Sequence, residues 1–251
     1  MSEFFRNLPS IWWGIVVICV VAVALFVLLS SLFYRCFFKR FYDILLSFIA
    51  IIFFSPLLII LTIVTAIKMR GNPFFVQPRP GKNGKVFYLI KFRTMTNEKD
   101  SEGNLLPDEQ RLTKYGKVLR STSLDELPEL FNIFIGNMSV VGPRPLLVKD
   151  MIFMTDEQNK RHIVRSGLTG LAQVNGRNTI SWEDKLAYDV EYVNNISLWK
   201  DVAIIFKTVG KVLKHNDVVR EGTMTDMDFG DWLLAEGKIT QEEYDKMLGK
   251  I

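Results

Sequence analysis

Apolar and polar positions divide this chain into two regions. No residue between Ile11 and Tyr34 is charged, and none between Ile44 and Ile67. As a helix the first run is about 36 Å long, enough for a hydrocarbon core of roughly 30 Å. Trp12 and Trp13 open it and Tyr34 closes it, where amphipathic rings favour the interface. The run is too long for the apolar part of a signal peptide, and Glu3 accompanies Arg6 in front of it. Residues 1–35 are therefore expected to form a transmembrane helix. Arg35, Lys39 and Arg40 follow it and only Arg6 precedes it, which puts its C-terminal flank in the cytoplasm.

The second run, in residues 36–70, has cations on both sides. Arg35, Lys39 and Arg40 stand before it; Lys68, Arg70, Arg79, Lys82 and Lys85 stand after it. A spanning helix would put one cluster on the wrong side. A helix that enters the membrane and returns to the same face satisfies both. Ser55-Pro56 lies near its middle. Pro56 deprives the Ile52 carbonyl of its helical partner, and the Ser55 hydroxyl can supply a substitute. A kinked spanning helix is the alternative.

Beyond residue 70 the pattern shortens. Asn83-Gly84 separates two apolar pieces and predicts a hairpin, with Val86–Phe92 as a strand carrying Phe87 and Tyr88 into the core. NEKDSEGNLLPDEQ reads as a surface loop, and RLTKYGKVLR as a short amphipathic helix with a basic wet side. Ser181 with Asp184 predicts a capped helix start. LWKDVAIIFKTVGKVLKH has helical periodicity with lysines on its other face, suiting either a membrane surface or core packing. The tail, residues 223–251, reads as two short helices broken at Gly237-Lys238, with a Thr240/Glu243 capping box; docking or self-association is the role it suggests.

Composition narrows the classes. The net charge of +4 suits an anionic membrane or phosphorylated substrates, and nucleic acid least, since no zinc-finger, RNP-like or basic-zipper spacing is present. Cys19 and Cys36 are too few for a disulfide framework and read as free thiols. His162 has no His or Cys near it in sequence and reads as a positioning or surface residue.

The candidate chemistry lies in STSLDELPEL, where Asp125 adjoins Glu126. Ser123 as N-cap with Glu126 three residues on would make the pair a structural capping box. The surroundings favour more. Lys114, Lys117 and Arg120 precede the pair, and Arg144 follows in a turn stiffened by Pro143 and Pro145, a cationic setting for phosphate. Neighbouring residues on a helix point about 100° apart, so the acids suit separate tasks, one attacking and one holding Mg²⁺. Hydrolysis of glycosides by two flanking carboxylates is disfavoured by their adjacency.

SP at 55–56, KFRTM at 91–95, RSTSLDELPEL at 120–130, GNMSVVGPRPLL at 136–147, and GLTGLAQVNGRN with SWEDKLAYDVEYV beyond it together resemble the bacterial sugar transferase family. These are the monotopic phosphoglycosyl transferases that start glycan assembly on polyprenyl phosphate. The resemblance runs from about residue 36 to residue 222 and implies an α/β membrane-associated enzyme. Behind the transmembrane helix would come a re-entrant helix-break-helix at Ser55-Pro56. A mainly helical cytosolic catalytic domain, residues 71–222, would follow, with a small β-hairpin and amphipathic surface helices. By the same resemblance Asp125 would be the nucleophile and Glu126 the Mg²⁺ ligand. Lys91, Arg120 and Arg144 would hold phosphates, with Gln173, Asn175 and Arg177 in the nucleotide-sugar region. UDP-sugar, polyprenyl phosphate and membrane lipid would be the partners, a homo-oligomer is left open, and the location would be the cytoplasmic face of the bacterial inner membrane. Ser166 stands where the family often has proline and Leu171 where it often has tryptophan, departures that bear on sugar preference rather than reaction type. A non-catalytic scaffold keeping the fold is the alternative.

Overall fold

In the computed structural model, residues 2–176, 180–214 and 227–249 are described. Helix α1 (Ser2–Leu32) is followed by a five-residue π-turn (Tyr34–Phe38) and by helix α2 (Lys39–Lys68). Both are long and apolar enough to cross a bilayer core. Between Trp12 and Leu32, α1 exposes nearly every side chain.

Helix α2 has two faces. Asp43, Ser47, Leu58, Leu61 and Thr65 are buried, and Ala50, Ile51 and Phe54 continue the same stripe at helical spacing. Ile44, Phe48, Ile52, Ile59, Ile63 and Ile67 are exposed on the rest. The buried stripe runs along the globular domain. At one end Arg40 Nη1 donates to the Ile133 carbonyl at 2.7 Å, and Asp43 Oδ1 accepts from Ser139 Oγ at 2.9 Å and from the Val140 amide at 2.8 Å. Near the other end Thr65 Oγ1 shares a 2.8 Å hydrogen bond with Tyr115. Inside the helix, Ser55 Oγ donates to the Ile52 carbonyl at 2.8 Å, the acceptor that Pro56 leaves unused.

The domain opens with the expected hairpin. Strands β1 (Phe74–Pro80) and β2 (Val86–Phe92) pair antiparallel from Phe74↔Phe92 to Pro80↔Val86. The turn places Asn83 at φ 57° and Gly84 at φ 72°, the left-handed region such a turn requires. Phe87 is buried as expected, but Tyr88 is 66% exposed, because alternate residues of a strand face opposite sides. Helices α3 (Asp108–Arg111) and α4 (Lys114–Ser121) follow the loop, α4 capped by Thr113 Oγ1 on the Gly116 amide at 2.9 Å. Helix α5 (Glu129–Ile135) packs on both β2 and α2. Strand β3 (Ser139–Val141) pairs in parallel with β4 (Gly167–Thr169), a second two-stranded sheet that the sequence pattern does not predict. Between them lies α6 (Asp156–Asn159); after them come α7 (Leu171–Asn175), α8 (Trp182–Asn194) and α9 (Leu198–Lys214). The domain is mostly helical, so the α/β description holds only through these two small sheets.

Ser181 caps α8, as expected. Helix α9 turns Ile204 and Asp201 into the core and leaves Trp199, Phe206 and Val209 exposed beside its lysines. The tail forms α10 (Phe229–Ala235) and α11 (Gln241–Leu248), joined through Gly237 at φ 66°, and Thr240 with Glu243 makes the expected capping box.

Of the two readings of His162, positioning or surface, the surface one does not hold. The residue is 6% exposed, and burial, with the Arg161 charge adding to it, lowers its pKa to about 4. The unfolded chain then binds more protons than the folded one between about pH 6.5 and pH 4, so acidification through that window removes stability. The loss is about 3 kcal/mol in full. His162→Gln is expected to flatten the fall in melting temperature of the detergent-solubilised protein between pH 7 and pH 5. An unchanged slope would refute the assignment.

Candidate active site

Three short segments meet at one cavity of about 550 Å³. Strand β2 brings Lys91. The turn Leu124–Glu126 and the start of α5 bring Asp125, Glu126 and Glu129. The turn after β3 brings Arg144.

Each segment is held by its own sequence. Asn132 on α5 docks against the edge of β2: its Nδ2 donates to the Tyr88 carbonyl at 2.8 Å, and its Oδ1 accepts from the Ile90 amide at 3.1 Å. That dock sets Lys91 beside the acids. Ser123 adopts φ 54° and makes no side-chain cap bond, so the capping-box reading of Ser123 and Glu126 fails. An N-cap needs extended backbone, and left-handed Ser123 instead turns the chain sharply into the Leu124–Glu126 turn. The Arg144 turn is tied at both ends. The Gly142 amide donates to the Thr169 carbonyl at 2.8 Å, and the Gly167 amide donates to the Pro143 carbonyl at 2.9 Å. A Cβ on Gly167 would lie 2.1 Å from the Gly142 nitrogen, so only glycine permits this crossing. Arg161, paired through Nη2 with Asp189 Oδ2 at 2.7 Å, also donates to the Arg144 carbonyl at 2.6 Å.

Acids and bases interlock at the site. Glu126 Oε1 accepts from Lys91 Nζ at 3.0 Å and from Arg144 Nη2 at 2.8 Å. Lys91 also reaches Glu129 Oε1 at 3.1 Å. Burial and then the Glu126 charge push the Asp125 carboxyl up to about 6, against the pull of Lys91, Arg120 and Arg144. Burial pushes Glu129 up to about 7, opposed by Lys91. Arg144 is raised, chiefly by Glu126. Arg120 lines the same cavity and donates from Nε to Thr94 Oγ1 at 3.1 Å.

Of the residues expected here, Asp125, Glu126, Lys91, Arg120, Arg144 and Gln173 line the cavity. Gln173 Nε2 donates to the Leu168 carbonyl at 3.1 Å, while its buried Oε1 has no partner among the described residues. Asn175 is exposed and does not line the cavity. Arg177 lies outside the described residues. Lys114 and Lys117 are exposed and stay out of the cavity, since the basic face of α4 turns only Arg120 inward. Sequence reasoning missed Glu129, Arg161 and Arg79. Arg79 on β1 lines the cavity, is held by Gln77 Oε1 at 2.7 Å, and keeps a buried Nε with no partner among the described residues. Burial, then the neighbouring Arg144, lower it to about 10. Polar Gln77 and Arg79 two apart within an apolar-flanked strand were the available signal.

Beside this cavity lies an apolar one of about 310 Å³, walled by Phe54, Leu127, Leu130, Val140, Ile205 and Val209 among others. Glu126 and Gln173 border both.

Carboxylates crossed by fixed cations, set against two long apolar helices, define a class of membrane-linked proteins handling phosphorylated substrates. The profile of the bacterial sugar transferase family matches residues 34–215, and the chain belongs to that family. The sugar transferase EpsL of Bacillus subtilis (strain 168) is 46% identical over 187 residues, covering 74% of this chain and 93% of EpsL. The UDP-glucose:undecaprenyl-phosphate glucose-1-phosphate transferase of Klebsiella pneumoniae is 41% identical over 189 residues, which are 69% of this chain and 40% of that protein. An undecaprenyl-phosphate N-acetylgalactosaminephosphotransferase of Aeromonas hydrophila is 38% identical over 188 residues, 70% of this chain and 44% of its own.

Proposed function

We propose that this protein transfers a sugar 1-phosphate from a UDP-sugar to polyprenyl phosphate through a covalent intermediate on Asp125. The observation that carries this reading is the half-buried Asp125 carboxylate, next to a Glu126 already bracketed by Lys91 and Arg144. A carboxylate with a pKa near 6 is largely ionised at pH 7, yet more basic than an exposed one. One of its oxygens attacks the β-phosphorus of the donor. The bond from that phosphorus to the bridging oxygen breaks, and UMP leaves with the electron pair. The sugar phosphate is then held as an acyl phosphate. An oxygen of polyprenyl phosphate attacks the same phosphorus, restores the Asp125 carboxylate and carries off the sugar as a diphosphate. Lys91, Arg120 and Arg144 hold phosphate oxygens throughout.

A Mg²⁺ ion at Glu126 is part of this proposal. Among the described residues no group of three or more His, Cys, Asp or Glu could hold a metal alone. Magnesium in phosphoryl transfer is commonly held by one or two carboxylates plus the substrate's own phosphates, and Glu126 offers such a carboxylate at the cavity. When bound, the ion would neutralise charge developing on the diphosphate.

The acceptor would use the apolar cavity, whose border with Glu126 brings an isoprenoid chain beside the chemistry. Re-entry of α2, one continuous helix through Pro56 rather than two separate ones, is part of the proposal and is supported by where its ends lie. A helix of 30 residues is about 45 Å long, yet Asp43 near one end and Thr65 near the other both bond to the same domain. A spanning helix would carry one of those ends across the bilayer. UDP-sugars are cytosolic, so the domain would sit on the cytoplasmic face of the inner membrane. Cysteines placed at Arg40 and at Asn72 are expected to react with a membrane-impermeant thiol reagent from the same side; opposite sides would refute re-entry.

The reaction is tested with a panel of UDP-sugars labelled in the sugar. UMP release, label on the protein in the absence of acceptor, and its transfer to added polyprenyl phosphate are the expected results. Partner binding without UMP release from any donor would favour a scaffold.

A further inference from the structure

The C-terminal helix pair lies outside the family match at residues 34–215, yet its root enters the cavity. Met227 and Asp228, just before α10, line the same space as Asp125 and Lys91. They are seated firmly. The Trp182 indole N–H donates to the Met227 carbonyl at 3.1 Å, and the Phe229 amide donates to buried Asp150 Oδ1 at 3.1 Å. Phe229 is 2% exposed, with its ring 5.4 Å from that of Trp182. Tyr244 of α11 stacks on Phe153 at 5.2 Å. Asp150 Oδ2 also accepts from the Leu147 amide at 2.9 Å, so one carboxylate joins the tail to the segment that follows Arg144.

The chemistry at this end differs from that around Asp125. Asp228 pairs with Lys149 Nζ at 2.7 Å, and its side chain is one-third exposed. Lys185 Nζ sits 4.9 Å above the Trp182 ring. Met227 is 53% exposed and offers an apolar surface. A carboxylate beside an apolar wall repels phosphate but accepts hydrogen bonds from hydroxyls. Arg79 bridges the two ends: it feels both the Arg144 guanidinium and the Asp150 and Asp228 carboxylates.

We propose that Met227 and Asp228, with Trp182 and Lys185, form the wall that reads a hydroxylated ring of the donor, adding a specificity element from outside the family core. This rests on the nucleotide-sugar reading above and deepens it. The ring is either the transferred sugar or the ribose, since both present hydroxyls to a carboxylate.

The test uses the full chain in nanodiscs and the UDP-sugar that the wild type turns over. Asp228→Asn and Met227→Ala are each expected to raise the KM for that donor about tenfold, the loss from one strong contact, with kcat held within about twofold. The melting temperature of Met227→Ala should stay at the wild-type value, because that exposed side chain is no part of the core, and Asp228→Asn should lose little, since its pair with Lys149 is part-exposed. Direct binding of UMP to the free enzyme separates the two rings. A dissociation constant that rises with the KM identifies the ribose. An unchanged constant, with narrowed discrimination among UDP-sugars, identifies the transferred sugar. Wild-type KM values in both variants would overturn the inference and leave the reaction standing. A wild type inert toward every UDP-sugar would overturn the reaction itself, and the inference with it.

Discussion

Replacing Asp125 with asparagine is expected to abolish UMP release while the protein still folds and inserts. The loss should be on the order of 10⁴-fold or more, as for other nucleophiles removed from a covalent mechanism. Asparagine keeps the size and the turn but has no anionic oxygen. The attack on phosphorus therefore fails, while the phosphate cations remain. Because Asp125 is half-buried and its charge is disfavoured by Glu126, the neutral amide should not destabilise the turn. The decisive readout is the polypeptide itself. Wild type incubated with donor and no acceptor should gain the mass of one phosphosugar on the peptide bearing Asp125, and the variant should gain none. Equal turnover in the variant would end the nucleophile assignment. A labelled variant would move the nucleophile to another residue, with Glu126 the first to examine.

The sequence made this site legible where residues were close together and chemically distinctive. Asp125 with Glu126, Arg144 between prolines, and Lys91 and Arg120 in dense motifs all reach the cavity. What stayed hidden required contacts between distant segments. Arg161 acts through Asp189, 28 residues on, and through the Arg144 carbonyl, and none of these pairs shares a local pattern. Strands β3 and β4 are three residues each, too short for alternation to emerge. The capping-box alternative at Ser123 fails for a local reason. A serine three residues before a glutamate fits a cap only if its backbone is extended, and nothing in the sequence reports that Ser123 takes a positive φ.

Asp43 shows how a signal can be present and overlooked. A lone carboxylate abutting an apolar run is expected to have a partner. It accepts from Ser139 and Val140, which fixes α2 to the strand leading into the Arg144 turn. Helix α2 is therefore part of the scaffold that positions Arg144.

That coupling is concentrated in Asp201, and its removal is the largest stability effect expected. Asp201 is 3% exposed on α9. Its Oδ2 accepts from Tyr34 at 2.6 Å and from Lys39 Nζ at 2.6 Å; its Oδ1 accepts from Tyr192 at 2.8 Å. Lys39 Nζ also donates to the Val141 carbonyl at 2.9 Å, three residues before Arg144, and the Tyr192 oxygen, with its one hydrogen on Asp201, lies 3.1 Å from the same carbonyl. Asp201→Ala would leave the Lys39 ammonium buried without its carboxylate, a change that costs about 3–5 kcal/mol when one partner of a buried pair is removed. The Tyr34 hydroxyl would lose its acceptor as well, and the Tyr192 hydroxyl would turn to the longer bond with the Val141 carbonyl. The melting temperature in detergent should fall, and turnover should fall with it as the Val141–Arg144 segment loosens. Asp201→Asn keeps acceptor capacity without the charge, so it should recover part of the tyrosine bonding and less of the loss at Lys39. The double variant Lys39→Met, Asp201→Leu removes both charges and should be more stable than Asp201→Ala alone, since no ion then remains unpaired. If the double variant proved less stable than the single one, the cost would lie in lost packing, and the ionic lock between the α1–α2 junction and the Val141–Arg144 segment would have to be abandoned.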